Sequence, residues 1–421
     1  WVGRYRSASG TLRVKAPLGF ADFVSISGFR EGVNHSGSEY DSTSADLGWF
    51  YSDILDKTWS QELQLLSTAD SDIEWIAGLY WMDSDGGYGP LLVPGSPPIK
   101  SGGTQKSYAA YVQGRYEFND QWGLTLGVRY SKDKAEYDGG TVGGFPVAPS
   151  ADESWSDVSP KLTIDYKVGD SLLYFTASKG YKAGSYNLSN LANVGPVDPE
   201  KVSALEMGIK TELAGMARLE AALFHYDYKD LQVSFIPSNN NPTELANAAD
   251  SKVSGLDLNA LVQPIDALKL TGGLSWLFKA EYENFPGGTA YVDNAPFPGF
   301  SVVPGDFSGN RMAHAPKLTG NVGATYTWAL PAGSIAANTN IHYRSKQYFS
   351  PQNLNSVAND DVTLVSAKVV YTSPDDHWTV SAWAQNLTDK EYFSGILQTT
   401  LGTIGIYALP RTYGFNVGYQ W

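Results

Sequence analysis

His35, His225, His314, His342 and His377 are the residues best suited to move protons or hold a metal. They are scattered, with no HExxH run and no paired spacing for zinc. Cysteine is absent, which removes thiol nucleophiles, Cys-ligated metals and disulfides. No GxSxG elbow and no phosphate-binding loop occurs. The Gly-rich stretches 85–88 (DGGY) and 101–104 (SGGT) read as loop tips rather than phosphate cradles. Asp360 and Asp361 stand at the base of a predicted loop, where two carboxylates could hold a cation. Without further oxygen ligands nearby the pair reads as solvated, and so does Asp375 with Asp376 in a predicted turn. The expectation is no catalytic residue, no resident metal and no cofactor.

Recognition offers more than catalysis. Aromatic residues make up 13% of the chain, with 26 Tyr and 12 Trp, yet mean hydropathy is below zero. Loop aromatics are the candidate ligand contacts: Trp49, Tyr51, Tyr88, Trp155, Tyr186, Phe300, Tyr348 and Phe349, with Phe50 and Phe297 beside them. Aromatic and polar side chains together suit an amphipathic ligand. Each of these residues also reads singly as a membrane-interface aromatic or as packing for its own loop. By parity, Arg129, Lys161, Lys179 and Lys182 point inward or toward the rim. There they could attract an anion or pair with neighbouring Glu and Asp.

The elements that must hold these residues are strands. Trp122, Leu124, Leu126, Val128 and Tyr130 alternate with Gly123, Thr125, Gly127, Arg129 and Ser131, and most of the chain follows the same period of two. One apolar face and one polar face suit a wall between lipid and a wet lumen. No run of about 18 apolar residues exists, which excludes a helical span but not a barrel, whose strands need about 9–11 residues. The net charge of −14 leaves no basic stripe for nucleic acid. Short turns are expected near 17–19, 69–71, 119–120, 168–170, 214–215, 264–266, 331–333 and 373–376. They rotate with longer loops near 32–57, 85–104, 138–155, 184–200, 236–246, 284–312, 349–360 and 394–405. Short turns at one end and long loops at the other is the outer-membrane arrangement.

The last residues sharpen this. Tyr413, Phe415, Val417, Tyr419 and Trp421 fall on one face, and the sequence ends on an aromatic. This stretch resembles the C-terminal strand by which outer-membrane barrels are recognised for assembly, with Trp where Phe is usual. About 17 strands are expected, an odd number, whereas bacterial single-chain barrels close with an even one. The first strand and the last then run the same way, so N-terminal strands are expected to be missing from 1–421.

Several motifs occur in order: 59–67 (WSQELQLLS), 73–80 (IEWIAGLY), 124–130 (LTLGVRY), 159–161 (SPK), 178–184 (SKGYKAG), 206–210 (EMGIK), 227–232 (DYKDLQ), 386–392 (NLTDKEY) and 410–414 (PRTYG). Together they resemble the barrel of TonB-dependent outer-membrane receptors over nearly the whole chain. The resemblance implies an all-β transmembrane antiparallel barrel, about 17 of an expected 22 strands, with the N-terminal plug and first strands missing. It also implies active import without covalent chemistry, in the outer membrane of a Gram-negative bacterium. A ferric siderophore is the implied ligand; cobalamin, oligosaccharide, an aromatic compound or a passive porin are the alternatives. Implied partners are the TonB complex through the missing plug region, outer-membrane lipid and lipopolysaccharide, and the barrel-assembly machinery.

Overall fold

The fold is taken from a computed structural model that describes residues 2–39, 48–235, 244–294, 299–399 and 402–421. Among the described residues, eighteen strands form one sheet, and one of them, Phe145–Ala148, is a four-residue flap. The other seventeen make a wall in which each strand pairs antiparallel with the next in sequence. They are β1 (Val2–Pro17), β2 (Ala21–Glu39), β3 (Trp49–Ser67), β4 (Ile73–Leu92), β5 (Ile99–Glu117) and β6 (Trp122–Val142). Then follow β7 (Ala151–Val168), β8 (Ser171–Lys182), β9 (Glu200–Leu213), β10 (Ala217–Phe235), β11 (Glu244–Ile265) and β12 (Leu268–Asn284). The last five are β13 (Leu318–Leu330), β14 (Gly333–Arg344), β15 (Val362–Thr372), β16 (Trp378–Gln385) and β17 (Thr412–Tyr419). This is the expected all-β barrel wall with the expected number of spanning strands.

All eight short connections lie at one end, with two to five residues between strands. Turn chemistry is local: Asn119 Oδ1 accepts from the amides of Gln121 and Trp122, and Gly169 and Gly215 supply positive φ. At the other end the ladders run further than the sequence reading allowed. β2 and β3 stay paired from Val33↔Leu55 to Glu39↔Trp49, inside the expected loop 32–57. Likewise β4 continues to Leu92 and β6 to Val142. β6 has 21 residues, about twice the 9–11 that a tilted span needs. Beyond the bilayer both faces meet water, so hydropathy stops alternating although the backbone ladder continues.

Facing is set by register. On β6 the outer face reads Trp122, Leu124, Leu126, Val128, Tyr130, then Lys132 and Lys134. The nine residues from Trp122 to Tyr130 match one span, with an aromatic at each edge. Trp122 packs on Tyr166 of β7, and Trp378 packs on Tyr419 of β17 at the same turn end. On β17, Tyr413, Phe415, Val417 and Tyr419 share the outer face opposite Ala384, Ala382, Val380 and Trp378. Trp421 lies two residues beyond the last pair and is 97% exposed.

Candidate ligand-binding crown

Inside the wall, glycines let long side chains cross a whole strand. Arg115 of β5 reaches Asp165 of β7 by two contacts of 2.5 and 2.9 Å, over Gly123 of β6. A Cβ at Gly123 would stand within 3 Å of both partners. Tyr111 of β5 lies over Gly78 of β4 and donates to Glu62 of β3 at 2.6 Å. Arg129 sits over the rings of Tyr80 and Tyr111, which places it on the inner face as expected. Tyr174 of β8 packs over Gly208 of β9 and donates to Glu206 at 2.7 Å. The inner surface is thus a hydrogen-bonded polar sheet rather than an apolar core.

Above it, residues 183–199 stretch across the inside of the long-loop end. One side of this strap rests on β5 and β6. Ser101 Oγ donates to the Leu188 carbonyl, and Tyr186 stacks on Tyr137 at 6.1 Å. Its other side is fixed to β11 by asparagines three residues apart. Asn190 and Asn193 donate to the two oxygens of Glu244, at 3.1 and 2.5 Å. Asn187 donates to the Leu245 carbonyl and accepts from the Leu245 amide, at 2.9 and 2.7 Å. Trp155 of β7 closes the strap's start, with Nε1 on Asp198 at 3.3 Å and its ring against Gly184.

The same reciprocal pairing ties the later loops together. Gln352 exchanges hydrogen bonds with the backbone of Tyr291, Asn353 with that of Arg311, and Asn359 with that of Phe393. Each carboxamide offers one donor and one acceptor, so it replaces a strand partner where no strand is available. Nearby, Phe285 and Phe307 form an apolar cluster with Ala249 and Tyr282. Phe285 meets Tyr282 and Phe307 edge-on, at 5.1 and 5.4 Å. Burial pushes the Tyr291 hydroxyl up to about 12 and lowers the Arg311 guanidinium from its ordinary value. Arg311 donates to the carbonyls of Ala315 and Leu277.

The candidate aromatics therefore separate into groups. Trp155 and Tyr186 meet at the strap. Tyr348 and Phe349 meet at His314: the His314 amide donates to the Tyr348 carbonyl, the His314 ring is edge-on to Phe349, and Lys346 lies over Tyr348. Tyr88 lies half-buried on the inner face of β4, the face that holds Gly78 and Tyr80. Trp49 and Tyr51 stack on each other at 6.1 Å on the outer face of β3, with Trp59. The backbone of Phe300 pairs with Asp293 in a loop ribbon, and Phe297 lies outside the described residues. Lys182 pairs with Glu200 at 3.7 Å, and Lys161 shares the inner face with Asp165. Lys179 corrects the inward expectation: it shares the outer face of β8 with Phe175 and Ala177, because Ser178 and Thr176 take the inner one.

Sequence reasoning missed Tyr137, the three strap asparagines and Glu244, although the Asn spacing at 187, 190 and 193 was a visible signal. It also missed Arg344, on the inner face of β14, whose buried Nε and Nη2 have no partner among the described residues. Among the described residues, no group of three or more His, Asp or Glu side chains is placed to hold a metal. What this arrangement can do is enclose a ligand of mixed polarity between a polar inner wall and aromatic loops.

A family model described as TonB dependent receptor-like, beta-barrel matches residues 3–387. The pesticin receptor of Yersinia enterocolitica is 27% identical over 374 residues, covering 86% of this chain and 52% of the relative. A probable TonB-dependent siderophore receptor of Acinetobacter baumannii, PiuA, is 24% identical over 300 residues, covering 69% of this chain and 38% of that protein. The chain spans about half the length, or less, of the curated relatives it matches. Among solved structures, the ferric yersiniabactin uptake receptor FyuA from Yersinia pestis superposes with a TM-score of 0.83 at 19% identity. That match covers 99% of this chain and 61% of the other, and at such identity the likeness is one of fold.

Proposed function

Because the chain belongs to the TonB-dependent receptor family through its β-barrel, we propose that the protein is an outer-membrane receptor that actively imports ferric siderophore complexes. The observation that carries this reading is the strap 183–199, drawn inside the wall and fixed by Asn187, Asn190 and Asn193. It narrows the long-loop end to a mouth lined by aromatic and polar groups, which fits capture of a discrete ligand better than free passage of solutes. The names of similar proteins, among them a siderophore receptor and a ferric yersiniabactin uptake receptor, support the ligand class.

In this reading, Tyr88, Trp155, Tyr186, Tyr348 and Phe349 offer flat apolar surface to the ligand's organic part. Trp49 and Tyr51, stacked on the outer face of β3, stand apart from that enclosed surface and are not part of this contact set. Arg129 and Arg344 supply positive charge for an anionic chelate, and the unpartnered nitrogens of Arg344 favour such a role. Import is driven by the TonB complex acting on a plug inside the barrel, with no covalent step. The outward residues Tyr413, Phe415, Val417, Tyr419 and Trp421 act as the signal read by the barrel-assembly machinery.

The test is growth of the source bacterium on defined ferric siderophores under iron limitation. Expression should rise as iron falls, and deletion of the gene should abolish growth on at least one siderophore. Unchanged expression together with unchanged growth would overturn the iron assignment.

A further inference from the structure

An arginine offers two parallel donors along its side edge, Nε–H and Nη2–H, and two arginines of this chain show how that edge is filled. Arg311 donates through Nε to the Ala315 carbonyl and through Nη2 to the Leu277 carbonyl, at 2.6 and 3.2 Å. Arg218 places the same two nitrogens on Glu220, at 3.0 and 2.8 Å. Arg344, on the inner face of β14, differs. Its Nε and Nη2 are buried and have no hydrogen-bond partner among the described residues.

The surroundings supply no counter-charge. Arg344 stands opposite Thr319 of β13 and Val362 of β15, and Val362 is itself buried. Tyr392 is the titratable group within electrostatic reach, and no Asp or Glu of the described residues joins it. Asp360 and Asp361 come just before Val362 yet are exposed rather than drawn to Arg344. The ribbon that begins beside Tyr392 pairs 393–399 with 402–407 and carries Gln398, 7% exposed. Neither amide atom of Gln398 has a partner among the described residues. This sector of the crown therefore holds two buried polar side chains that the protein itself leaves unsatisfied, which is costly without a polar guest.

The open pair on Arg344 also says which guest. Nε–H and Nη2–H point the same way and match the two oxygens of one carboxylate. A carbonyl oxygen fills a single donor, so Arg311 needs two of them. A buried guanidinium, moreover, is unfavourable until an anion meets it. We propose that Arg344 anchors a free carboxylate of the imported chelate, so that the receptor takes carboxylate-bearing ferric siderophores. The ligand's body then meets Tyr348 and Phe349, which follow Arg344 into the crown. The anchor rests on the importer reading and narrows its ligand class.

Full-length receptor in detergent is titrated with four ferric chelates, followed by tryptophan fluorescence. Ferric aerobactin and ferric citrate carry carboxylates, whereas ferrichrome and ferric enterobactin carry none. The receptor should bind at least one of the first two more tightly than either of the others. Arg344→Gln should weaken that binding about 10- to 100-fold, because Gln retains at most one of the two donors. Arg344→Lys keeps the charge without the fork and should recover part of the loss. Lys179→Gln removes a charge from the outer face and should change binding less than about twofold. Arg344→Gln removes an unpaired buried charge, so the ligand-free receptor should melt no earlier than its parent. Earlier melting would show that Arg344 pairs within the receptor, and would overturn the anchor. An equal loss of binding for chelates with and without a carboxylate would overturn it too. Binding of ferrichrome or ferric enterobactin alone keeps the importer reading and overturns the anchor. Binding of none of the four overturns both.

Discussion

The wall and the crown are held together by different means. In the wall every strand leans on its sequence neighbour, and side chains such as Arg115 and Tyr111 add cross-links over glycines. In the crown, single carboxamides replace the ladder. Asn187, Asn247, Gln352, Asn353 and Asn359 each both donate to and accept from backbone of a distant segment. The wall distributes its stability over hundreds of atoms, whereas the crown concentrates it at a few replaceable residues. A receptor needs both, since its frame must persist while its loops open and close on a ligand.

That contrast breaks first, and most severely, at the cross-links of the wall. Asp165→Ala removes the buried partner of Arg115, which is 25% exposed and keeps only its contact with Glu117 at 3.1 Å. Each of the two charge-assisted hydrogen bonds lost is worth about 1.5–3 kcal/mol, and the folded barrel should melt earlier by calorimetry in detergent. A melting temperature equal to that of the parent would show that the frame does not depend on these spans. Next is Leu126→Arg, which places a charge at the centre of the Trp122–Tyr130 outer band, at a cost of about 2–4 kcal/mol near the bilayer midplane. Urea titration in lipid vesicles reads it, and the same change at Lys132's height should cost far less.

Crown variants should leave global stability nearly untouched. Asn187→Ala removes one donor and one acceptor, worth about 1–3 kcal/mol locally. Hydrogen exchange should speed up at Leu245 and along 183–199, with little change in the ladders of β5 and β6. Faster exchange throughout the wall would mean that strap and wall form one cooperative unit. The smallest effect is expected at the turn between β15 and β16. There the Ser373 hydroxyl and then the His377 amide hold the Asp375 carboxyl below its usual range. The stability this gives is present above the unfolded value of about 3.9 and is lost as pH falls through the lower folded one. Exchange at the His377 amide should therefore rise only in strong acid, and Asp375→Asn should remove that pH dependence.

Legibility in the sequence follows the same division. Alternation such as Trp122 to Tyr130 revealed strands, facing, count and turn ends, because lipid on one side and water on the other leave a period of two. The tall extensions of β2 to β6 were read as loops, since a ladder wet on both faces carries no such signal. Candidate loop aromatics were legible as types but not as partners. Nothing in the spacing of Trp155 and Tyr186 says that one strap brings them together, or that Trp49 and Tyr51 share the outer face. The reciprocal Asn and Gln pairs join residues 34 to 61 positions apart, and no local pattern encodes them.

The central claim is energised uptake of a ferric siderophore, and radioiron transport tests it most directly. Iron-starved cells carrying the intact gene should accumulate siderophore-bound radioiron. Accumulation should stop when the gene is deleted or when the proton-motive force that TonB uses is dissipated. Uptake that persists after both treatments would contradict the account.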